Sequence, residues 1–510
     1  MIKLKTLLVI SIIIPVLFTN CTSQNSDPFQ TVYQTNCVAC HGDKLQGTPQ
    51  GPALIGTELK NGKTNAELIK SIKEGNPEKG MPAFSAMLTD TEIKQIAIMI
   101  AEKRQDYKME DFKFDASIAI PEGTIKSEKH NFKIETIAKG LDAWPYSIAP
   151  LPDGRILLVE KTKGLSIISP DGKQSELIKN TPKVYDDTYF AGVLNGPGWM
   201  LDVALHPDYE NNGWIYLSYS DRCSDCNTIS RQLKMDASMC ALVRGRIKDG
   251  EWIDQETIWK ADIESYVPTA SAQIGGRIAF DHQGHVFLSV GGLVWQPQPQ
   301  GNIEAYAGIQ NLGLPYGKIF RFHDDGGIPE DNPFVNTPGA LPGIWSYGHR
   351  SPHGLEVDTT TGQVWETEMG PRGGDEVNLL LPGKNYGWPL TSHGVNYDGS
   401  KVEFGKYEGI EFNEADIEQP VVDLTPSPAV SSFTFYDRDV FPEWKGNLLV
   451  GSLKATELYR MVKEGDQIVH RETILSNLAR IRDVEVGVDG YIYLLLENRG
   501  GSEIVRLVPQ

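Results

Sequence analysis

The residues with the plainest chemical spacing are Cys37, Cys40 and His41, which form a C-x-x-C-H motif. Two thiols one helical turn apart can add to the vinyl groups of a haem, and the adjacent imidazole is then held beneath the iron. A redox-active C-x-x-C that happens to precede a histidine is the alternative, but residues 28–104 carry the other features of a small haem domain. The motif therefore predicts a covalently bound haem c with His41 as one iron ligand.

A second iron ligand is expected downstream of the motif. Met81 lies in Gly80-Met81-Pro82, where the flanking residues favour a turn that presents the thioether. Met87 is the competing choice, but it lacks the Gly and Pro that would hold a loop against the haem. We therefore predict Met81 as the second metal ligand.

Two capping boxes place helices around this site. Thr64-x-x-Glu67 and Thr89-x-x-Glu92 each predict a helix start. Apolar residues at i, i+3, i+4 and i+7 follow the second box, and they are Ile93, Ile96, Ala97 and Ile100. This stripe should pack on an N-terminal helix beside the haem, and residues 28–104 resemble the class I monohaem cytochromes c over their whole length.

The N-terminal segment has the features of an export signal. Lys3 and Lys5 precede the apolar run 7–18, which is too short to span a bilayer. Cys21 follows directly and opens a polar tether, so we interpret it as the lipidated first residue of the mature protein, with 1–21 as its signal peptide. An ordinary cleaved signal with an incidental cysteine is the alternative. The expected location is the periplasm or cell surface, with the lipid as the only membrane anchor.

Length and charge limit the remaining classes. The chain has 510 residues and a formal net charge of −19, which argues against nucleic acid or an anionic membrane surface as a partner. Residues 105–130 mix charges with Pro and Gly and lack a helical or strand period, so they are predicted as a linker between two domains.

Beyond the predicted linker, a turn glycine followed by a β-prone run recurs six times. The turn glycines are Gly154, Gly213, Gly284, Gly362, Gly446 and Gly490. One such hairpin per blade predicts an all-β six-bladed β-propeller over residues 131–510, following the small all-α domain. Hairpins of a β-sandwich are the alternative, but a sandwich rarely needs a segment of this length.

The segment 345–388 concentrates turn glycines and polar groups as a ligand site would. Its GHRSPHGL, GPRGGDEVNLL and NYGWP motifs, in that order, resemble the glucose/sorbosone dehydrogenases that use pyrroloquinoline quinone (PQQ). The resemblance extends over about residues 130–510. It implies a six-bladed propeller that binds PQQ and a calcium ion in a cleft at one end.

The resemblance also assigns cofactor residues. PQQ carries three carboxylates, which guanidinium and ammonium groups suit. Four cations fall on family positions, and they are Arg350, Lys454, Arg480 and Arg482. The carbonyls of Gly370 and Pro371 match a calcium-holding pair, an oxygen site of the kind calcium prefers, and Asp375 matches a polar position of the site.

Two departures from the family pattern affect the chemistry. The histidine that removes the substrate hydroxyl proton is replaced by Gln273, and the carboxylate that orients it is replaced by Gly292. A neutral amide cannot accept a proton near pH 7, so the family mechanism does not carry over intact. Asp202, where the family favours Gly, is the nominated replacement base, although it could instead cap a turn.

Further family amides are also replaced. Pro197 or its neighbour, Ser351 and Met369 stand at positions where the family has Gln or Asn. These changes alter the hydrogen bonding available to a cofactor, while the cationic positions are retained.

Three cysteines lie in an insertion of the predicted propeller. No His follows Cys226, so Cys223 and Cys226 do not form a second haem motif. A disulfide is expected, with one of Cys223, Cys226 and Cys240 left over, and the sequence leaves the pairing open. Zinc would require a fourth ligand that the neighbourhood does not supply.

Two functions fit these residues. The first is an exported oxidoreductase that oxidises a sugar or other alcohol with PQQ and passes electrons through its own haem to another cytochrome or a terminal oxidase. The second is a non-catalytic propeller, binding a carbohydrate or a protein, fused to an electron-transfer cytochrome c. The attached haem favours the enzyme, whereas the missing base favours the binding protein.

Overall fold

A computed structural model describes residues 28–59, 62–105, 115–186, 189–190, 193–194, 198–268, 275–292, 308–402 and 412–510. The predictions on Cys21 and the signal peptide lie outside these ranges. The described chain forms a helical module, residues 28–105, and a β module that begins with the packed residues after 115. No helix in these ranges is long and apolar enough to cross a membrane.

Four helices build the first module. They are α1 (Pro28–Asn36), α2 (Val38–His41), α3 (Asn65–Glu74) and α4 (Asp90–Gln105), with single 3₁₀ turns at Pro77–Lys79 and Phe84–Ala86. The predicted capping box at Thr89 forms in full, whereas at Thr64 the carboxylate of Glu67 accepts from the amide of Lys63 and the box is incomplete. The amide of Glu67 donates to Thr64 Oγ1 at 3.2 Å. In the second box, the amide of Glu92 donates to Thr89 Oγ1 at 3.3 Å, and the amide of Thr89 donates to Glu92 Oε2 at 2.8 Å.

The predicted apolar stripe of α4 is buried. Its four residues are at most 4% exposed and pack with Phe29 and Tyr33 of α1, which are themselves buried. The prediction that α4 packs on the N-terminal helix is therefore confirmed, and helical spacing alone was enough to find it.

The β module is a six-bladed propeller. Its first three blades are β3 (Pro145–Pro150), β4 (Ile156–Glu160) and β5 (Gly164–Ile168); β8 (Met200–Leu205), β9 (Ile215–Cys223), β10 (Ala237–Lys248) and β11 (Glu251–Lys260); and β12 (Gly275–Phe280), β13 (Val286–Val290), β14 (Lys318–Phe322) and β15 (Ile344–Tyr347). Blades 4 and 5 are β16 (Pro352–Val357), β17 (Val364–Glu368), β18 (Glu376–Leu380) and β19 (Val422–Asp423); and β20 (Val430–Phe435), β21 (Leu448–Ser452), β22 (Leu458–Glu464) and β23 (Gln467–Leu475).

The sixth blade closes the ring by joining both ends of the module. It contains β24 (Arg480–Val486), β25 (Ile492–Glu497), β26 (Ser502–Pro509), β2 (Asn131–Leu141) and β1 (Ile125–Lys126). Strand β2 pairs antiparallel with the C-terminal β26, with Ile134 opposite Leu507. The innermost strands β3, β8, β12, β16, β20 and β24 each contact the next around the ring. The pairing of β2 with β26 therefore closes the ring, and only the outermost strand of each blade remains an edge.

All six predicted turn glycines occupy equivalent places. Each lies between the innermost strand of a blade and the second strand, and their φ angles run from +67° to +85°. A residue with a Cβ is strained at such φ values, so glycine is the favoured residue at each turn. The sequence-based blade count is therefore confirmed.

The structure moves the boundary of the predicted linker. Residues 106–114 lie outside the described ranges, but 115–130 belong to the propeller. Ile118 and Ile120 pack against the apolar cluster of the sixth blade, and β1 pairs with β2. A short strand with little alternation carries a weak sequence signal, which is why this stretch was assigned to the linker.

Insertions between strands carry the remaining elements. They are α5 (Tyr209–Asn212), α6 (Thr228–Leu233) and the hairpin of β6 (Tyr189–Phe190) and β7 (Val193–Leu194), with 3₁₀ turns at Ile263–Ser265, Glu414–Asp416 and Pro442–Trp444. The disulfide links Cys223 to Cys226, just before α6. Cys240 is a buried thiol on β10.

Candidate functional site

The haem motif has the geometry that attachment requires. Cys37 is the N-cap of α2, and Cys40 and His41 lie at the end of this helix. The amides of Cys40 and His41 both donate hydrogen bonds to the carbonyl of Cys37. His41 Nδ1 lies 2.8 Å from the carbonyl oxygen of Pro52. A carbonyl at Nδ1 fixes the tautomer and leaves Nε2 to bind a metal. The site therefore suits iron ligation by His41.

The two methionine candidates differ in environment. Met81 packs against the apolar cluster of the helical module, and its backbone is held by two hydrogen bonds with Asn76, of 2.8 and 3.1 Å. Met87 is 57% exposed. A ligand must lie against the haem in a fixed loop, so the structure favours Met81, as the Gly-Met-Pro sequence predicts.

A cleft opens at one end of the propeller, with a volume of about 520 Å³. Its lining comes from two blades and from helix α4, and it includes Glu102, the loop 369–373, Asp375, Tyr397, Ser427, Ala429 and Lys454. Three predicted site elements, the Gly370-Pro371 pair, Asp375 and Lys454, are therefore brought together. The helical module contributes one wall of the cleft through Glu102 of α4.

Asp375 fixes the loop that borders this cleft. Its carboxylate accepts hydrogen bonds from the amides of Gly370 at 3.0 Å and Val430 at 2.9 Å, which joins two blades. Gly370 is tightly enclosed, because a Cβ there would collide with the carbonyl of Gly374. Burial raises the pKa of Asp375 to about 6. Asp375 therefore clamps the backbone beneath Gly370, and its part in the cofactor site stays a prediction.

Arg350 is buried next to the same loop. Its Nη1 donates to the carbonyl of Met369 at 2.8 Å, and its guanidinium lies 5.2 Å from the ring centre of Trp388. No described residue accepts a hydrogen bond from Arg350 Nε, although that atom is buried. A buried donor without a partner is costly, so this atom is suited to an anionic ligand.

Arg480 and Arg482 belong to a cationic cluster that the sequence did not reveal. Arg480 Nε, Arg482 Nε and Lys161 Nζ all donate to the carboxylate of Glu497, at 2.6, 2.8 and 2.8 Å. Burial would raise the pKa of Glu497, but Arg482, Lys161 and Arg480 hold it well below its usual range. Burial, with Arg482 nearby, lowers the pKa of Lys161 to about 7, so the two arginines are the permanent cations around Glu497, and neither of them lines the described cleft.

His353 is a second residue that sequence analysis missed. It is 6% exposed, and its Nε2 lies 3.2 Å from Ser351 Oγ. Burial, together with Arg482, Arg277, Lys161 and Arg350, lowers its pKa well below the usual value. The imidazole ring of His353 is therefore neutral near pH 7, and these four basic side chains all lie near it. The only sequence signal was the His in SPHGL, which lies on an innermost strand.

Asp202 occupies the central channel. Its Oδ1 lies 3.1 Å from Arg277 Nη1, and its Oδ2 accepts from the amide of Ile278 at 2.9 Å. Arg277 also pairs with Asp483 at 2.8 Å, and burial raises the pKa of Asp202 to about 6. Both carboxylate oxygens of Asp202 are engaged between blades, and Asp202 does not line the described cleft. The geometry favours a structural role over the nominated role as a replacement base.

Of three other predicted departures from the family pattern, the structure describes one. Gln273 and Pro197 lie outside the described residues, so their predictions are untested. Gly292 is buried, and a Cβ there would collide with the carbonyl of His349. A carboxylate orienter could not replace Gly292 without movement of the neighbouring backbone.

One buried group of metal-type ligands lies next to Arg350. His349 Nδ1 is 2.7 Å from Glu366 Oε1, and Glu368 Oε2 accepts from the amide of Arg350 at 2.5 Å. The ligand atoms of His349, Glu366 and Glu368 lie within 4.8 Å of one another. Alternate positions on β17 put both glutamates on one face, a signal that the sequence contained but that we did not use.

Comparisons with known proteins agree with this arrangement. Residues 142–506 match the family Glucose / Sorbosone dehydrogenase, and residues 24–98 match Cytochrome C oxidase, cbb3-type, subunit III. The chain is 35% identical over 383 residues to aldose sugar dehydrogenase YliI of Escherichia coli (strain K12), which covers 74% of this chain and 93% of that protein.

Two further matches extend the comparison. The chain is 27% identical over 293 residues to quinoprotein glucose dehydrogenase B of Acinetobacter calcoaceticus, which covers 53% of this chain and 55% of that protein. The crystal structure of the soluble aldose sugar dehydrogenase from Escherichia coli in the apo form superposes with a TM-score of 0.62 at 32% identity, covering 74% of this chain and 100% of that one. The predicted resemblances, to PQQ-type sugar dehydrogenases and to a cytochrome c, are confirmed.

Proposed function

The chain belongs to the glucose/sorbosone dehydrogenase family, and on that premise we propose that it is a PQQ-dependent aldose dehydrogenase that delivers electrons to its own haem c. The observation that supports this most is a cleft that brings Lys454 and the Gly370-Pro371 turn together and whose other wall is the helical module, residues 28–105, called the cytochrome module from here on. Lys454 and Glu102 line the same cavity. A two-electron oxidant and a one-electron carrier in one chain are then adjacent.

The residues of the cleft and the neighbouring Arg350 fit an anionic, calcium-bound cofactor. Arg350 bonds the cleft-lining Met369 and offers a buried donor without a described acceptor, whereas Arg480 and Arg482 pair with Glu497 and do not line the described cleft. The enclosed Gly370-Pro371 turn supplies carbonyl oxygens, the ligand type that calcium prefers. When bound, PQQ would supply the acceptor for the hydrogen on the carbon that bears the reacting hydroxyl.

The overall reaction fixes the electron count. An aldose that becomes a lactone loses two electrons and two protons, whereas one haem accepts a single electron at a time. An external one-electron acceptor, such as another cytochrome or a terminal oxidase, must therefore reoxidise the haem twice per sugar. We place this reaction outside the cytoplasm, with the chain exported by residues 1–21 and anchored through a lipid on Cys21.

Ligand binding is tested by thermal unfolding of apoprotein with added PQQ and calcium. A ligand that binds only the folded state raises the melting temperature by mass action, so we expect a rise that saturates with PQQ concentration. Lys454→Ala should reduce that rise, because Lys454 lines the cleft. Lys445→Ala is the matched control, since Lys445 pairs at the surface with Asp439.

Substrate oxidation is tested with the loaded protein and a panel of aldoses and simple alcohols, using a dye as electron acceptor. Aldose-dependent dye reduction supports the proposal. PQQ binding without oxidation of any panel member would support the propeller as a non-catalytic carbohydrate- or protein-binding module instead. Absence of PQQ binding would contradict the cofactor assignment.

A further inference from the structure

The cytochrome module is fastened to the propeller by polar contacts along α4. Lys94 Nζ donates to the carbonyl of Ser392 at 2.9 Å, and Gln95 Nε2 donates to the carbonyl of Gly399 at 2.6 Å. Both donors are on one helix, and both acceptors lie in the 392–399 segment of the fourth blade. Side chains therefore reach across the module boundary to fixed backbone atoms.

Arg372 makes the most specific contact between the modules. Its Nε and Nη2 donate to Glu102 Oε1 and Oε2 at 3.1 and 2.9 Å, which is a bidentate pair. The same guanidinium lies 3.6 Å from the ring centre of Phe29 in α1. Both partners of the ion pair are about one-fifth exposed, so solvent screens this contact less than a pair on the open surface.

An apolar contact backs these polar ones. Val395 is 1% exposed and belongs to the apolar cluster of the cytochrome module, although it is a propeller residue. The backbones of Arg372 and Val395 exchange two hydrogen bonds of 3.0 Å. A Cβ on Gly373 would lie 3.1 Å from Ile98 Cδ1 of α4. The loop and α4 thus approach as closely as side chains allow.

The loop that carries Arg372, residues 369–375, also lines the cofactor cleft. Gly370 and Pro371, which border the cleft, immediately precede Arg372, and Asp375 clamps the same loop from below. On the other side, Arg372 contacts α1, which ends at the residue before Cys37. One short loop therefore touches the proposed cofactor site on one face and the haem-bearing module on the other.

We propose that Arg372 is a positioning residue that fastens the cytochrome module over the rim of the cofactor cleft and so sets the path by which electrons leave the cleft for the haem. This inference rests on the proposed function for its electron-transfer part. The docking part does not, because its contacts are present without any cofactor. Electrons pass singly, and the external one-electron acceptor named above takes each in turn.

Arg372→Gln is the test variant, and it is measured in two ways. Without cofactor, hydrogen exchange of the backbone amides of residues 90–105 should become at least tenfold faster at the positions facing the propeller. In the loaded protein, the rate of haem reduction by aldose should fall at least tenfold relative to the rate of dye reduction by the same protein. The dye takes electrons without crossing the docking interface, which separates positioning from loss of the cleft.

Two further variants make the result specific. Glu102→Arg combined with Arg372→Glu reverses the pair and should recover part of the haem reduction rate, which a general loss of folding would not allow. Arg246→Gln is the control, because Arg246 also pairs with a carboxylate, Asp254, at 3.0 Å and lies 3.6 Å from the ring centre of Trp214, away from the cytochrome.

The outcomes separate the two claims. Unchanged hydrogen exchange in Arg372→Gln would overturn the docking role, and faster exchange with an unchanged haem reduction rate would overturn the electron-transfer role. If the unsubstituted protein reduces neither dye nor haem with any aldose, the proposed function fails, and electron transfer from the cleft fails with it. The exchange measurement would still decide the docking.

Discussion

The two candidate centres of this chain are built in opposite ways. The haem site lies within residues 37–81, and its key contacts, such as His41 with the Pro52 carbonyl, join residues close in sequence. The cofactor cleft joins Gly370 and Lys454 from two blades with Glu102 from the other module, and Arg350 lies beside it. A site made of local contacts can be altered without disturbing the fold, whereas the cleft depends on the packing of the whole ring.

Met81→Ala gives the largest expected effect, and it tests the local half of this comparison. Loss of the thioether should abolish the weak far-red absorption band of a Met-ligated ferric haem, while the unfolding of the propeller stays unchanged. The absorption spectrum and thermal unfolding are the two measurements. Met87→Ala, at an exposed position, is the control. Retention of the band in Met81→Ala would reassign the ligand.

Asp202→Ala tests the non-local half. It leaves the buried amide of Ile278 without its acceptor and removes one partner of Arg277, so it should lower the free energy of unfolding by about 2 kcal/mol. Asp439→Asn, at a surface pair, should cost less than about 1 kcal/mol. Denaturant unfolding measures both. A variant of normal stability with a selective loss of aldose oxidation would restore Asp202 as a proton acceptor.

Glu356→Gln should give a smaller, pH-dependent effect in the same channel. Burial, with Asp202 and Asp483, raises the pKa of Glu356 to about 8, and burial with the same neighbours raises that of Glu485. A raised carboxyl pKa means that the folded state binds the proton more tightly. The associated stability is therefore present below about pH 4.5 and is lost as the pH rises towards 8.

The measurement is denaturant unfolding at pH 5 and pH 8.5. The unsubstituted protein should be less stable at the higher pH, and Glu356→Gln should show a smaller difference, with Glu485 retaining the rest. An equal difference in both proteins would show that Glu356 does not titrate in this range.

The features that the sequence predicted correctly depend on interactions between residues that are close together in the chain. Each turn glycine has a positive φ that favours glycine, and the Thr89 capping box satisfies its own helix end, so Gly284 and Thr89 could be interpreted without tertiary context. The cation positions of the cleft came from the family resemblance, and the structure adds what they contact.

What sequence did not predict depends on distant partners. Nothing near Glu497 in the chain indicates that Lys161 pairs with it, and nothing near Arg372 indicates Glu102. Asp202 was nominated as a base because its type was unusual for its position, but a charge type alone does not tell a proton acceptor from half of a buried ion pair. The linker boundary was misplaced for the same reason, since β1 pairs with β2, and β2 pairs with the distant C-terminal β26.

The most direct test of the account is the haem spectrum of the loaded protein during a single addition of aldose, without oxygen, dye or any other acceptor. We predict that the reduced-haem absorption bands appear when PQQ, calcium and aldose are all present, and that they are absent when PQQ is omitted. A haem that stays oxidised while the same preparation reduces dye with aldose would contradict the claim that the cytochrome module is the electron acceptor of the cleft.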